Sequence, residues 1–189
     1  MATLKGASVQ SNFDWIRTTY GDEVWEQVLG RLTDEHRRTI GMINGGASYD
    51  LTFVSAVLEA LADIKFAGDM GAADRAFRSM GARAAESGLT GVYSLFLRVA
   101  KPEALLKRIP TVIGTMFGGV TAEIAEGADG HSATITMRGL GDLAYAAPRL
   151  CGWGQKALEM CGARDATLTE RNWAAGRIRA DELVFDVRW

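Results

Sequence analysis

The chain has 189 residues, 48% of them hydrophobic and 23% charged, with a formal net charge of -2 and a pI near 5.7. This length suits one well-buried core and is short for two, so residues 1–189 are expected to form a single domain. The charge balance gives no electrostatic footprint for nucleic acid, which is disfavoured, and no run approaches the roughly 18 apolar residues of a membrane span.

No apolar stretch of signal-peptide type follows Met1, which points to a cytosolic protein. Val9, Phe13, Ile16 and Tyr20 have helical spacing, closed by Gly21. Asp22 can cap a second helix with Val24, Trp25, Val28, Leu29 and Leu32 on its apolar face, and Thr33 a third, with Asp34 and Glu35 well placed against its dipole and Ile40 on its inner side. Gly41 to Gly46 breaks the pattern. It lacks the Lys-Ser/Thr ending of a phosphate-binding loop, and Ser48 reads as the cap of a longer helix carrying Leu51, Val54, Leu58 and Leu61.

Residues Gly71 to Ser87 form another amphipathic pattern, with Ala73, Ala76, Phe77, Met80 and Ala84 inside. Asp74, Arg75, Arg78, Arg83 and Glu86 read as a solvated face of mixed sign. Val92, Tyr93, Phe96, Leu97 and Val99 suggest a further buried helical segment. Pro102 then opens a helix with an unusually wide apolar surface, Leu105, Leu106, Ile109, Val112, Ile113, Met116 and Phe117, which Pro110 must kink or divide. Such a helix either packs under a sheet or walls a pocket.

From Gly119 the period changes to two. Val120, Ala122 and Ile124 alternate with polar residues, Asp129-Gly130 supplies a turn, and Ala133, Ile135 and Met137 alternate again. Leu150, Trp153, Gly154, Ala157, Leu158 and Cys161 return to one helical stripe, with Pro148 in the first turn and Gly162 after the end. Ala166 and Leu168 mark a short strand, and Leu183, Phe185, Val187 and Trp189 a longer one that makes the C-terminus part of the core. The fold expected is α+β: mainly helical residues 1–118 packed on a C-terminal antiparallel sheet of about four strands with an inserted helix, strand-strand-helix-strand-strand over 119–189.

Gly152 and Gly154 each cost about 1 kcal/mol against Ala inside a helix, so something comes close to this backbone: the sheet, a partner helix or a ligand. Cys151 and Cys161 lie too far apart along one helix to bridge and read as reduced thiols packed as small hydrophobes. The two histidines, His36 and His131, fall on polar segments. No Ser-His-Asp, Cys-His or zinc-type spacing is present, and paired carboxylates such as Glu123/Glu126 read as solvated edges. Arg171 to Arg179, with Trp173, is either a solvated loop or an anion or partner site.

Three of these segments carry a family likeness. Pro148-Arg-Leu-Cys-Gly-Trp-Gly154, Ala157-Leu-Glu-Met-Cys-Gly-Ala163 and the terminal Phe185-Asp-Val-Arg-Trp189 resemble the vinyl-reductase-like ligand-binding domains. These share a fold with haem-based nitric-oxide sensors and with Bet3-type subunits of Golgi transport tethers. With Leu4-Lys-Gly-Ala-Ser8 and Phe13 to Gly21 added, the whole chain is similar to a myxobacterial family of uncharacterised proteins. The resemblance implies helices against one side of an antiparallel sheet with an apolar cavity between, in a family whose members bind small hydrophobic molecules, tetrapyrroles or acyl chains, or use the surface to dimerise. The haem sensors hold iron through a histidine on a cavity-facing helix; neither His36 nor His131 is so placed, which leaves Cys151 or Cys161 as substitutes. Neither thiol aligns with the acylated cysteine of the Bet3-type subunits.

The reading drawn from the residues and the resemblance is a non-enzymatic regulatory domain for a small apolar or amphipathic ligand, with no cofactor specified. Its expected walls are Leu106, Ile109, Ile113, Met116, Phe117, Trp153, Ala157 and Cys161, between the Pro102–Phe117 helix, the Cys151–Cys161 helix and the sheet. The alternative is an assembly module with a filled core that works as a homodimer through Trp25 and Leu29. A haem gas sensor and a tetrapyrrole enzyme rank below both.

Overall fold

The structure is a computed structural model that describes residues 2–88, 101–163, 165–173 and 179–189. Its first long helix, α1 (Gly6–Arg31), is broken at Gly21, where φ is +82°, so two helical segments meet at the expected glycine. The first buries Val9, Phe13 and Ile16; the second buries Trp25 and Val28. The Trp25 ring lies 5.3 Å from that of Phe13 and is 6% exposed. Trp25 is therefore core, not the exposed anchor that a homodimer face would need.

Helix α2 (Asp34–Gly41) is capped as expected, the Thr33 hydroxyl accepting the His36 N–H at 3.2 Å. The next cap falls elsewhere. Ser48 belongs to strand β2 (Ser48–Asp50), paired with Lys5 of β1 (Thr3–Lys5), and it is Asp50 that caps α3 (Leu51–Lys65) by accepting the Thr52 N–H at 2.7 Å. With β3 (Phe117–Gly118) these form a small antiparallel sheet, ordered β2-β1-β3. Strands of two or three residues are too short to carry a readable period, so the sequence does not announce this sheet.

Helix α4 (Met70–Gly88) follows; the segment expected over Val92–Val99 lies outside the described residues. The Pro-rich helix is two: α5 (Pro102–Leu106) and α6 (Ile109–Met116), with Pro110 in the first turn of α6, where its missing N–H costs nothing.

The main sheet, β4 (Thr121–Glu126), β5 (Ser132–Arg138), β6 (Thr167–Glu170) and β7 (Glu182–Arg188), is antiparallel throughout and ordered β4-β5-β7-β6. Ala133, Ile135 and Met137 oppose Val187, Phe185 and Leu183 on the core face, while Thr134 opposes Asp186 and Arg138 opposes Glu182 on the other. The last strand is interior to the sheet. Trp189 extends it, its N–H reaching the His131 carbonyl and its Nε1–H the Glu103 carboxylate, both at 3.0 Å.

Helix α7 (Ala146–Met160), ended by Gly162 at φ +84°, packs between this sheet and α4. A Cβ at Gly152 would overlap the Arg78 carbonyl of α4, one at Gly81 the Arg149 carbonyl of α7, and one at Gly154 would come within 2.7 Å of Leu168 Cδ1. Gly152 thus admits a partner helix and Gly154 the sheet. Buried side chains from both halves of the chain form one continuous cluster.

Candidate functional site

The start of α7 is fixed from below by a single serine. Ser55 of α3, fully buried, donates to the Asp142 carbonyl at 2.5 Å and accepts the Ala144 N–H at 2.7 Å. Tyr145 then adopts the left-handed region (φ 54°, ψ 29°) and stacks on Phe77 of α4 at 4.3 Å between ring centroids. The helix begins with no side-chain cap and no acidic residue in its first turn.

From that start, Ala146, Arg149, Leu150 and Trp153 present one face to a cavity of about 1040 Å³. Its other walls are the first half of α1 (Ser8, Asn12 and Trp15 among them), the second half of α4, and the end of α6 with Met116, followed by Phe117 of β3. The volume is at the upper end of what small-molecule sites occupy.

Two side chains of the lining, on different walls, have buried donor atoms without partners. Arg149 Nε and Nη1 are buried with no hydrogen bond, and burial pulls the guanidinium down to about 10. Asn12, 2% exposed, has a buried Nδ2 with no acceptor. Two carboxylates also line the cavity: Asp14 is exposed, and Glu86 is paired with Lys156 and Arg83. The residues outside the described set contain no Asp or Glu at all.

The expected site residues divide. Ile113, Met116, Phe117 and Trp153 line the large cavity. Leu106 and Ile109 instead border a gap of about 30 Å³ beneath the sheet, shared with Ile113 and Trp153. Ala157 is fully buried, Cys161 half-buried, and neither lines either space. The expected space between α5–α6, α7 and the sheet is filled by Ile135, Met137, Leu168 and Phe185, leaving room for about one water. The ligand-sized space lies on the other side, towards α1 and α4. Sequence reasoning missed Arg149 and Asn12, though Arg149 carries a legible signal: it falls between Ala146 and Trp153 at helical spacing, a cation inside an apolar stripe and next to a helix N-terminus that disfavours it.

Other chemistry-bearing groups are engaged. Arg78 is not part of a solvated face: Nη2 donates to both Glu170 oxygens at 2.6 and 2.7 Å, Nε to Asp74 at 2.8 Å and Nη1 to Cys151 Sγ at 2.6 Å. Burial opposes its charge, but the Glu170 and Asp74 carboxylates outweigh that and hold it raised. Burial pushes the Cys151 thiol up to about 12, with Glu170 adding to the shift, and the thiol donates to the Leu168 carbonyl at 3.1 Å. Burial raises Cys161 to about 11. In the arginine loop Arg171 pairs with Asp186, Arg179 with Glu59, and Trp173 is half-buried. His36 is half-buried, packed edge-on to Phe53 at 5.5 Å, and His131 is exposed.

No family model and no curated protein matches the sequence. Solved structures do match in fold. A single-residue mutant of an H-NOX protein from K. algicida, in its Fe(II) unliganded state, superimposes at TM-score 0.68 with 14% identity over 98% of this chain and 96% of that one. A mutant of T. tengcongensis H-NOX gives 0.62 at 13% identity, covering 98% and 97%. An S. oneidensis H-NOX protein in the Fe(II)NO state gives 0.60 at 11%, covering 98% of both. The chain is α+β and shares the H-NOX fold.

Haem is the group that this fold implies, and the donors present do not suit its iron. Both histidines and both cysteines are among the described residues, and none of the four lines the large cavity. Cys151 is committed to Arg78 and Leu168. Among the described residues no cluster of His, Cys, Asp and Glu could hold a metal ion.

Proposed function

We propose that this chain is a non-enzymatic regulatory domain that takes a small amphipathic molecule into the cavity bounded by α1, α4, α6 and α7. One observation carries the reading: a ligand-sized space whose lining includes two side chains, Arg149 and Asn12, with buried donors that nothing else satisfies. The shared fold with H-NOX proteins supports a sensory role, since those neighbours include an Fe(II) unliganded state and an Fe(II)NO state. Here the ligand would be held by side chains and not by iron. Occupancy has a direct mechanical route outward, because α7 carries one cavity wall and is locked to α4 through Gly81 and Gly152, so a ligand that shifts either helix shifts both.

Native mass spectrometry and an absorption spectrum of the purified protein test this. The expected result is a colourless protein with mass above the 20.4 kDa chain that falls on denaturation. A Soret band would replace side-chain binding with haem. A bare chain mass, together with no stabilisation by any member of an amphiphile panel, would overturn the reading.

A further inference from the structure

The character of the two orphan groups narrows the ligand, on the assumption that the cavity reading above holds. Arg149 is a cation with three disadvantages at once. Its Nε and Nη1 are buried, no carboxylate pairs with it, and it sits in the first turn of α7, where the helix dipole and the uncapped N–H groups are already positive. An uncompensated buried charge is among the more destabilising features that a fold carries. Asn12 adds a second buried donor from a different helix on the same cavity. The two carboxylates of the lining do not neutralise Arg149, since Asp14 faces solvent and Glu86 is held by Lys156 and Arg83.

We propose that Arg149 and Asn12 form the head-group site for a carboxylate, the ligand being an amphiphile whose apolar body lies along Trp15, Ile113, Met116, Phe117 and Trp153. A guanidinium presents two parallel N–H donors that match the two oxygens of a planar carboxylate, and an amide N–H can satisfy a remaining lone pair. The negative head group also completes the α7 N-terminus, which favours anions. The apolar side chains of α6 and α7, with Trp15 of α1, then cover the rest of the molecule.

The test uses the full chain, stripped of bound lipid, titrated with 11-(dansylamino)undecanoic acid and with its methyl ester, both followed by dansyl fluorescence. The acid is expected to bind roughly ten- to a hundredfold more tightly than the ester, the range for one charge-assisted bidentate contact. Arg149→Met should remove that difference by weakening the acid alone, and Asn12→Ala should weaken the acid severalfold. Because Arg149→Met deletes an unpaired buried charge, its ligand-free melting temperature should be equal to or above that of the wild type, so misfolding cannot mimic the effect. Equal binding of acid and ester, unchanged in Arg149→Met, would overturn the carboxylate site and leave the cavity reading standing. Binding of neither probe would overturn this proposal, and the native mass and amphiphile panel then decide the cavity reading. A lower ligand-free melting temperature in Arg149→Met would show that the guanidinium has a structural role and would overturn the proposal.

Discussion

Replacing Gly152 by Ala sets two opposed effects against each other at one position. In an isolated helix the change stabilises by about 1 kcal/mol, because Ala loses less backbone entropy on folding than Gly. Here the added methyl would overlap the Arg78 carbonyl oxygen and lie 2.7 Å from its carbon and 2.9 Å from its Cα. These are backbone atoms of a helix that cannot rotate aside as a side chain would. Helices α4 and α7 must therefore separate, and the separation is resisted at Gly81, where α7's own backbone makes the reciprocal approach. Overpacking of this kind costs about 1–3 kcal/mol and occasionally more, and rigid neighbours on both sides place this case at the upper end. The net expectation is a loss of about 1–2 kcal/mol, or a fall of roughly 2–8 °C in melting temperature for a chain of this size. Gly30→Ala in α1 is the control, since a Cβ there meets nothing within 4 Å, and it should leave stability unchanged or raise it slightly. Differential scanning calorimetry of the two variants beside the wild type decides the matter. A Gly152→Ala protein as stable as the Gly30→Ala control would refute the claim that helix contact requires glycine at this position.

Three further outcomes are expected. Arg78→Ala should lose about 2 kcal/mol in urea denaturation, less than a fully buried pair would because the Arg78 side chain is 36% exposed, and Glu170→Ala added to it should cost less than the sum of the single changes; strict additivity would show that the Arg78–Glu170 contact carries no energy. Deleting Val187 to Trp189 removes pairing with both β5 and β6 and should abolish the cooperative thermal transition, whereas an unchanged melt would refute the interior position of β7. The Cys151 thiol titrates near 12 when folded against an ordinary 9.0, so the unfolded chain releases that proton first and stability should fall as pH rises from about 9 towards 12. Melting temperatures across that range should drop less in Cys151→Ala than in the wild type, and at pH 8 Cys151 should resist alkylation until the protein is denatured.

Much of the architecture was legible because it rests on local chemistry. Period-two alternation from Val120 to Met137 and from Leu183 to Val187, the Gly130 and Gly162 conformations, the break at Gly21 and the Thr33 cap are each dictated by residues within a few positions of one another. The small β2-β1-β3 sheet was not legible, since its strands are too short for a period and its pairing joins residues from Thr3 to Gly118. Nor could the sequence place the cavity. A stripe such as Ile109, Ile113 and Met116 has the same spacing whether its residues pack on a sheet or face a space, and only the packed helices show that Ile109 borders the filled side and Met116 the open one.

The same division separates the two arginines. In the sequence, Arg78 and Arg149 are both cations on amphipathic helices, and although Asp74 lies one turn before Arg78, nothing local shows which of the two a distant carboxylate will reach. In the tertiary structure Arg78 meets Glu170, 92 residues away, and is neutralised, while no carboxylate reaches Arg149. The sequence by itself determined which segments become helices and strands and which faces turn inward, because dihedral preference and apolar period act over a few residues. The packing of those faces decided which polar groups were left unsatisfied, because that depends on what distant segments bring to each buried atom.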